Sequence, residues 1–499
     1  MGNELVSIGK GRKWRPVGAE AIMAEQCQVR GPAGVVGAAA PTAALIGAEA
    51  LRAGGNAFDA AVAAALAETV LLPPKCGLAG DLIALVWRAG QDAPEALLAI
   101  GGAPAGLADV AAAGGMQDTG PNAVGVPAAP AGYLALAKAG MLSLERVAAP
   151  AIQLARRGFS WSRVCSVLAE ESAKLVANYN PEGTVYFPRG QVIKPGELVK
   201  LPRMARLLEE FVASQEDFLA GRVGDAIVAR VQESGGVLTR HDLLSSARAE
   251  WVPAQKSDLA GMPLFVTPAP THGPSLVAAV KDLDGGADAA AASVLRNVYA
   301  AIASRGKELA DPSGTSMVSA VDGDGTMVCI VHSNSYPRFG SGLIVGEYDL
   351  ILSNRAGRGY SSEPGHPNFP VAGRRPATTL HAWAVRDRDC SRYLGGTPGG
   401  ANQMTWNAQT LARFAAGERD IGRLIAAPRW EWLPRDNSIL AEHGFSAEEK
   451  EVLEGIAPGV DYADRWALRS AMQIVACDDG SGLARAGADP RTVGTVLAL

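Results

Sequence analysis

Cysteine, histidine and aromatic residues are scarce in this 499-residue chain, which holds six cysteines, six histidines and 6% aromatic residues. The cysteines are far apart and form no C-x-x-C pair, in a chain too large to need disulfides. We therefore interpret them as free thiols packed like small apolar residues. The histidines are isolated as well. Without a Cys/His cluster, the sequence supports neither a metal site nor a cofactor.

The chain also lacks a basic cluster and a long apolar run. Its formal net charge is −5 and its basic residues are scattered, which is not the electrostatic pattern of a nucleic-acid-binding protein. No uncharged apolar stretch is long enough to span a membrane, and residues 1–28 lack the apolar segment of a signal peptide. We therefore expect a cytoplasmic protein that binds neither nucleic acid nor a membrane.

Residue patterns predict a mixture of helices and strands, and 48% hydrophobic residues can form a large core. Helical patterns occupy residues 42–51, 57–72, 131–139, 144–157, 204–211, 224–234, 403–416 and 447–456. Strand patterns occupy residues 81–87, 261–267, 318–321, 327–332, 350–353 and 380–385. Helices and strands on both sides of residue 315 suit an α+β fold, a four-layer αββα sandwich with two antiparallel sheets between helices.

The stretch from Ser313 to Gly325, SGTSMVSAVDGDG, is a small-residue loop that leads into an apolar strand and an Asp-Gly turn. In it, Thr315 directly follows Gly314. Peptide cleavage between these two residues would leave Thr315 with a hydroxyl nucleophile and with a free α-amine as its base. This is the chemistry of N-terminal nucleophile hydrolases, although Gly-Thr before a strand is also ordinary turn chemistry.

Four other segments favour the chemical interpretation. They are GGNAFDAAVAAAL (54–66), CGLAGD (76–81), FGSG (339–342) and PGG (398–400). In order and spacing they resemble the γ-glutamyltranspeptidase family, over roughly residues 30–499. The resemblance implies the αββα fold and one globular unit that is cut into residues 1–314 and 315–499. The two pieces would stay together as a non-covalent heterodimer, which could itself form a dimer.

The same resemblance implies the catalytic residues. Thr315 matches the nucleophile, and Gly314 matches the residue whose carbonyl it attacks during self-cleavage. Ser333 matches a hydroxyl that hydrogen-bonds the nucleophile. Either Asn334 or Ser335 matches the next substrate contact, and the sequence does not decide between them. We expect the neighbouring histidine, residue 332, to be a packed or hydrogen-bonded side chain rather than a base.

Two further motifs match the family's site. Gly399 and Gly400 match backbone donors that face the developing oxyanion, where glycine lets the main chain approach a reacting carbonyl. Thr378 and Thr379 stand at a paired hydroxyl position where serine is usual in the family. The capacity for hydrogen bonding is therefore retained at this position.

Substrate recognition departs from the family pattern. Ile100 stands where the family has the arginine that binds the glutamyl carboxylate. Beyond Asn354, where the family has an acidic partner for the substrate's α-amine, this chain has Arg355 and Arg358. These arginines would repel an ammonium group and attract a carboxylate, so we expect them at the rim of the pocket. Solvated loop charges are the alternative.

The sequence therefore predicts a self-processing threonine hydrolase that cleaves an acyl bond in a small substrate carrying a carboxylate. The resemblance leaves three alternatives open. The first is a hydrolase of carbon–carbon bonds that releases an oxalyl-type fragment in a natural-product (alkylproline) pathway. The second is a true γ-glutamyl transferase or glutathione hydrolase, and the third is an unprocessed homologue without activity.

Overall fold

The computed structural model describes residues 19–281 and 314–499, apart from residues 434–437 and 458, together with residues 283 and 297. The helices of this part of the chain are α1 (Ala19–Gln26), α2 (Pro41–Arg52), α3 (Ala57–Leu71), α4 (Leu107–Ala112), α5 (Ala129–Ala137), α6 (Leu144–Arg157), α7 (Arg163–Tyr179), α8 (Pro202–Ser214), α9 (Arg222–Glu233), α10 (Arg240–Ser246), α11 (Gly273–Ala279), α12 (Arg355–Gly359), α13 (Asn402–Ala415), α14 (Ile421–Ala426) and α15 (Ala447–Ile456). Short 3₁₀ helices lie at Pro121–Ala123, Pro188–Gly190 and Gln215–Asp217.

Two seven-stranded antiparallel sheets form the centre of the molecule. In spatial order, the first sheet consists of β21 (Thr495–Ala498), β2 (Gly34–Ala38), β10 (Thr315–Asp322), β11 (Met327–Ser333), β3 (Asp81–Trp87), β4 (Glu95–Ala99) and β7 (Glu250–Pro253). The second consists of β1 (Gln28–Gly31), β20 (Ala484–Ala488), β19 (Gln473–Cys477), β15 (Arg392–Gly396), β14 (Trp383–Arg386), β9 (Met262–Val266) and β8 (Gln255–Leu259). Smaller sheets pair β5 (Phe159–Ser160) with β6 (Leu198–Val199), β12 (Ile344–Val345) with β13 (Leu350–Ile351), and β16 (Trp430–Leu433) with β17 (Ser438–Glu442) and β18 (Val460–Ala463).

The molecule has four layers: helices, the first sheet, the second sheet and further helices. An apolar core lies between each pair of neighbouring layers. The layer between the sheets contains Met317 and Val331 from the first sheet and Phe265 and Leu394 from the second. The other face of the first sheet packs against helices that include α2, α3, α5, α6 and α8. The other face of the second sheet packs against α11, α13 and α14. The predicted four-layer αββα sandwich is confirmed.

Several elements lie where the sequence predicts them. α3 begins after Asn56, whose side chain accepts from the backbone N–H groups of Phe58 and Asp59, while the Asp59 carboxylate accepts from the Asn56 N–H. This reciprocal cap fixes the start of the predicted helix. β3, α6 and α15 have the predicted bounds.

Two predicted strands are wrong in extent. The strand predicted at 380–385 begins only at Trp383. Before it, Leu380 N–H donates to Thr378 Oγ1 at 3.3 Å, and His381 Nδ1 bonds the Thr379 carbonyl at 2.9 Å. Such local side-chain bonds compete with a strand ladder. The strand predicted at 350–353 covers only the two residues of β13, since the chain then turns into α12.

β10, in contrast, is longer than predicted. It begins at Thr315 rather than at Val318, because its first three residues pair with residues 331–333 of β11. Thr315 is therefore part of the sheet and not of the loop before it. No helix among the described residues is long and apolar enough to cross a membrane.

Candidate active site

Thr315, the first residue of β10, lies opposite Ser333, the last residue of β11. Their side chains point towards the second sheet, because Met317 and Val331, two residues along each strand, pack in the layer between the sheets. Thr315 is 3% exposed and Ser333 is 1% exposed. The two predicted hydroxyls therefore lie together in the interior, at one end of the sandwich.

Hydrogen bonds connect Thr315, Ser333 and the carbonyl of Gly314. Thr315 Oγ1 donates to Ser333 Oγ at 3.1 Å, and Ser333 Oγ donates to the Gly314 carbonyl oxygen at 2.9 Å. The backbone N–H of Ser335 also donates to Ser333 Oγ, at 2.9 Å. Ser333 thus contacts both the hydroxyl of Thr315 and the carbonyl that precedes it.

Gly314 fits here because it has no side chain. A Cβ atom at this position would collide with the carbonyl oxygen of Ser335. Ser335 itself has a φ of +70°, a conformation that costs a non-glycine residue on the order of 1 kcal/mol. The turn through Ser335 therefore brings its carbonyl close to the Gly314–Thr315 peptide, and only glycine permits this approach.

The predicted substrate contacts Asn334, Ser335 and Asn354 are buried next to these hydrogen bonds. The Asn354 side chain donates to the carbonyls of Asp118 and Tyr336, at 2.6 and 2.5 Å. Among the described residues, no atom hydrogen-bonds Asn334 Oδ1, Ser335 Oγ or Asn354 Oδ1, although all three are buried. Buried polar atoms are nearly always hydrogen-bonded, so these three are suited to bind a ligand. Asn334 and Ser335 each supply one such atom, and the choice between them stays open.

Asp81 extends the row of polar side chains by one strand. It is the first residue of β3 and lies opposite Ser333, so Thr315, Ser333 and Asp81 are neighbours on three adjacent strands. Arg355 Nε donates to Asp81 Oδ2 at 2.5 Å, and both side chains are buried. Burial raises the pKa of Asp81, and the positive charge of Arg355 opposes this shift.

The position of Arg355 corrects our expectation. We expected it at the rim of a pocket, but it is only 4% exposed, because its ion pair with Asp81 allows the guanidinium to be buried. Within the described residues, Nε is the guanidinium nitrogen of Arg355 that has a hydrogen-bond partner. Arg358 lies nearer to the surface. Its Nη1 donates to Asp118 Oδ2 at 2.6 Å. Anion binding by the two arginines stays a prediction.

Gly399 and Gly400 lie in the loop that follows β15. Their φ angles are +151° and +59°, and a Cβ atom at Gly399 would collide with the ring of Trp406. Both positions therefore require glycine. No described residue accepts a hydrogen bond from the N–H of Gly399, which leaves this predicted oxyanion donor open.

Gln403 hydrogen-bonds Gly400, the second predicted oxyanion donor. In the amide orientation that satisfies its neighbours, Gln403 accepts from the Gly400 N–H and donates to the carbonyls of Thr379 and Thr397, each at 3.2 Å. Thr378 is also buried, and its hydroxyl accepts from the backbone N–H two residues later. Gln403 thus connects the glycine loop to the predicted threonine pair.

His332 lies on the opposite face of β11 from Ser333. Its Nδ1 bonds the Tyr133 hydroxyl at 2.7 Å and its Nε2 bonds Glu68 Oε2 at 3.0 Å, so this histidine is hydrogen-bonded through both ring nitrogens. Ligand atoms of Glu68, Cys76 and His332 lie within 4.8 Å of one another. Burial raises the pKa of the Cys76 thiol well above its ordinary value.

A cavity of about 340 Å³ lies at the other end of the strands, among turn residues that include Gly323, Asp324, Arg392 and Asp478. β10 has eight residues, so at about 3.3 Å per residue its two ends are roughly 23 Å apart. This cavity is therefore separate from the residues around Thr315.

Comparisons with known proteins identify the family of this chain. A sequence model described as Gamma-glutamyltranspeptidase matches residues 43–302 and 287–499. The chain belongs to the γ-glutamyltranspeptidase family. Its fold is accordingly the N-terminal nucleophile hydrolase sandwich, and the protein is a hydrolase of this family.

Relatives within the γ-glutamyltranspeptidase family are distant but nearly full-length. The chain is 26% identical to the glutathione hydrolase proenzyme of Escherichia coli (strain K12), over 94% of this chain and 92% of the relative. It is 26% identical to the glutathione hydrolase-like YwrD proenzyme of Bacillus subtilis (strain 168), over 89% and 94%. The solved cephalosporin acylase from Bacillus halodurans is similar with a TM-score of 0.82 and 25% identity, over 99% of both chains.

The sequence patterns assigned no role to Asp81, Gln403 or Gln473. Each of them gives a weak signal, because a charged or amide side chain stands in an apolar strand or a mostly buried helix. Such a signal predicts a buried hydrogen bond without naming the partner. The partners of Asp81 and Gln473 come from distant parts of the chain, and only the fold of this γ-glutamyltranspeptidase relative brings them together.

Proposed function

We propose that this protein is a self-processing hydrolase whose nucleophile is Thr315. The observation that supports this most directly is the pair of hydrogen bonds from Thr315 to Ser333 and from Ser333 to the Gly314 carbonyl. Thr315 Oγ1 attacks the Gly314 carbonyl carbon and gives its proton to Ser333. Ser333 passes its own proton to the carbonyl oxygen, which would otherwise carry a negative charge.

The intermediate then collapses: its O–H proton passes to the backbone nitrogen of Thr315, the carbonyl forms again, the C–N bond breaks and the nitrogen leaves as an amine. Gly314 is left as an ester of Thr315 Oγ1, and water hydrolyses this ester to a Gly314 carboxylate and a free hydroxyl. The products are residues 1–314 and 315–499. They would remain associated as a heterodimer, because β10 and β11 of the second piece lie between β2 and β3 of the first in one sheet.

In the mature protein, the new α-amine of Thr315 acts as the base for its own hydroxyl. The hydroxyl attacks the acyl carbonyl of a substrate, and the acyl-enzyme is then hydrolysed. The open N–H of Gly399 is suited to stabilise the oxyanion, whereas the N–H of Gly400 must first leave Gln403. An amide substrate agrees with the similarity to a cephalosporin acylase.

We further propose that the substrate is small and carries a carboxylate, which Arg355 and Arg358 bind. Ile100, directly after the last residue of β4, is fully buried and supplies no charge. The buried polar atoms of Asn334, Ser335 and Asn354 would bind the rest of the acyl group. Because Asp81 neutralises Arg355 in the described state, the carboxylate must compete with Asp81 or use the remaining guanidinium nitrogens.

Two other reactions use the same nucleophile. Attack on a ketone next to a carboxylate would cleave a carbon–carbon bond, with a stabilised carbanion as leaving group. A true γ-glutamyl transferase or glutathione hydrolase would bind an α-ammonium group as well, and Asp81 is the acidic side chain that could serve it beside Ser333. A non-catalytic homologue has no need of the hydrogen bonds between Thr315, Ser333 and Gly314.

Intact-mass measurement of the purified protein tests the proposal. We expect two masses, corresponding to residues 1–314 and 315–499, and we expect Thr315→Ala to give one uncut chain. Ser316→Ala is the matched control, because it removes the neighbouring buried hydroxyl, which points away from the second sheet. One uncut mass for the wild type, or a cut elsewhere, would overturn the proposed self-cleavage.

A further inference from the structure

Gln473 joins the two sheets next to the proposed nucleophile. It is the first residue of β19 in the second sheet and is 2% exposed. Its Nε2 donates to the Met317 carbonyl in the first sheet at 2.8 Å, and its Oε1 accepts from Ser319 Oγ at 2.9 Å. A single side chain thus spans the layer between the sheets and contacts the strand that begins with Thr315.

The start of β10 needs such support. β2 pairs with β10 only from Val318 to Asp322, so residues 315–317 have no strand partner on that side. Gln473 therefore binds a backbone carbonyl in the unpaired part of the strand. Gly37 on β2 leaves room for this bridge, since a Cβ atom there would lie 2.8 Å from Ser319 Oγ and 3.0 Å from Gln473 Oε1.

The same end of β19 also holds the glycine loop. Gln473 lies opposite Gly396, the last residue of β15. Two residues before it, the Ala471 N–H donates at 3.1 Å to the hydroxyl of Thr397, which leads into Pro398, Gly399 and Gly400. One short segment of the second sheet therefore contacts both the strand of Thr315 and the loop that carries the open N–H of Gly399.

We propose that Gln473 is a positioning residue that sets the distance between the Thr315 hydroxyl and the Gly399 N–H. This inference rests on the proposed function. An oxyanion donor must lie about 2.7–3.1 Å from the oxyanion, and a misplacement of about 1 Å can cost 100-fold in rate. The two groups belong to different sheets, so their separation depends on contacts between the sheets.

The two proposed reactions should respond differently to the loss of this bridge. Self-cleavage uses Thr315, Ser333 and the Gly314 carbonyl, which all belong to the β10–β11 pair. Hydrolysis of a substrate also needs the N–H of Gly399 from the second sheet. Gln473→Met keeps the volume but removes both hydrogen bonds, so we expect a defect in hydrolysis with little effect on self-cleavage.

p-Nitrophenyl acetate is the probe. The rate measured is the release of p-nitrophenolate by each protein minus the release that remains in Thr315→Ala. For Gln473→Met and for the isosteric Gln473→Glu, we expect kcat to fall about 10- to 100-fold, with KM within two-fold of the wild type. Self-cleavage, followed in pulse-labelled cell-free translation, should slow by less than about three-fold.

Gln409→Met is the matched control. Gln409 is also buried and also makes two hydrogen bonds, to the carbonyl and the N–H of Trp430, but it lies in the outer helix layer. We expect a lower unfolding temperature with an unchanged kcat. A wild-type kcat in both Gln473 variants would overturn the inference. It would also be overturned if Gln409→Met lost as much kcat and as much self-cleavage rate as Gln473→Met. A wild type without Thr315-dependent release would instead refute the proposed function and, with it, this inference.

Discussion

The two faces of the β10–β11 strand pair both carry buried polar side chains, but their hydrogen bonds differ. On the face towards the helices, His332 bonds Tyr133 and Glu68, and Glu68 also accepts from the Ala39 N–H. On the face towards the second sheet, Ser333 bonds Thr315 and the Gly314 carbonyl. The first network joins side chains to a scaffold, whereas the second includes the peptide bond whose cleavage we propose.

This comparison shows why burial and polarity alone do not identify an active site. The network of His332 has three ionisable groups and satisfied ring nitrogens, which is typical of a structural contact. Around Ser333, three nearby polar atoms are buried without partners among the described residues, whereas Ser316 Oγ is the one such atom beside His332 on the helix face of the strand pair. Unsatisfied atoms beside a polarised carbonyl indicate a site that is completed by a ligand.

Ser333→Ala should give the largest contrast between the faces, because it removes the hydroxyl that bonds both Thr315 and the Gly314 carbonyl. We expect self-cleavage to slow by roughly 10²- to 10³-fold. Ser316→Ala, on the helix face, should change the rate by less than two-fold. Pulse-labelled cell-free translation with gel analysis measures both rates. Equal rates in the two variants would contradict the assignment of function to one face.

Arg358→Ala tests the proposed carboxylate site. Glutaryl-p-nitroanilide carries a carboxylate that valeryl-p-nitroanilide lacks, so kcat/KM for the glutaryl compound should fall by about 10- to 100-fold, or about 1.4–3 kcal/mol. Turnover of the valeryl compound should not change. γ-Glutamyl-p-nitroanilide should be a poor substrate of the wild type, because Ile100 supplies no charge for its carboxylate and Arg358 stands where an acidic partner for its ammonium group would be expected. Efficient turnover of it would instead support the γ-glutamyl alternative.

Tyr133→Phe should affect stability and not chemistry. It leaves the buried Nδ1 of His332 without its partner, so we expect a loss of about 1–2 kcal/mol in the free energy of unfolding. Tyr462→Phe removes a hydroxyl that bonds Glu454 at the surface and should cost almost nothing. Thermal unfolding compares the two variants. A slower self-cleavage in Tyr133→Phe at unchanged stability would give the helix face a role in the reaction.

Arg355→Met should make stability depend on pH through Asp81. Burial raises the pKa of Asp81 in the folded protein, and loss of Arg355 should raise it further. A raised folded-state pKa contributes stability below the unfolded pKa of about 4, and this contribution is lost as the pH rises through the folded value. Relative to the wild type, the variant should therefore be less destabilised at low pH, where Asp81 is protonated, than at high pH, where its buried carboxylate lacks Arg355. A constant difference in unfolding temperature would argue against a buried Asp81 charge.

Much of the fold could be predicted because local patterns agree with it. The run of alanines after Asn56 has a good cap and forms α3, and the apolar run from Asp81 to Trp87 forms β3. Strand ends were less predictable. The residues before Trp383 have the pattern of a strand, but the side chains of Thr378 and His381 hydrogen-bond the local backbone instead. Thr315 joins the sheet because β11 pairs with it, which no local pattern shows.

The sequence by itself determined the αββα architecture, the resemblance to the γ-glutamyltranspeptidase family and the candidates Thr315 and Ser333. These depend on periodicity and on motifs that are continuous in the chain. Tertiary structure decided that Asp81 neutralises Arg355 and that Gln473 supports the strand of Thr315. Each of these contacts joins residues more than 150 positions apart. The energy of a buried charge or amide depends on the partner that folding brings to it, and sequence spacing does not specify that partner.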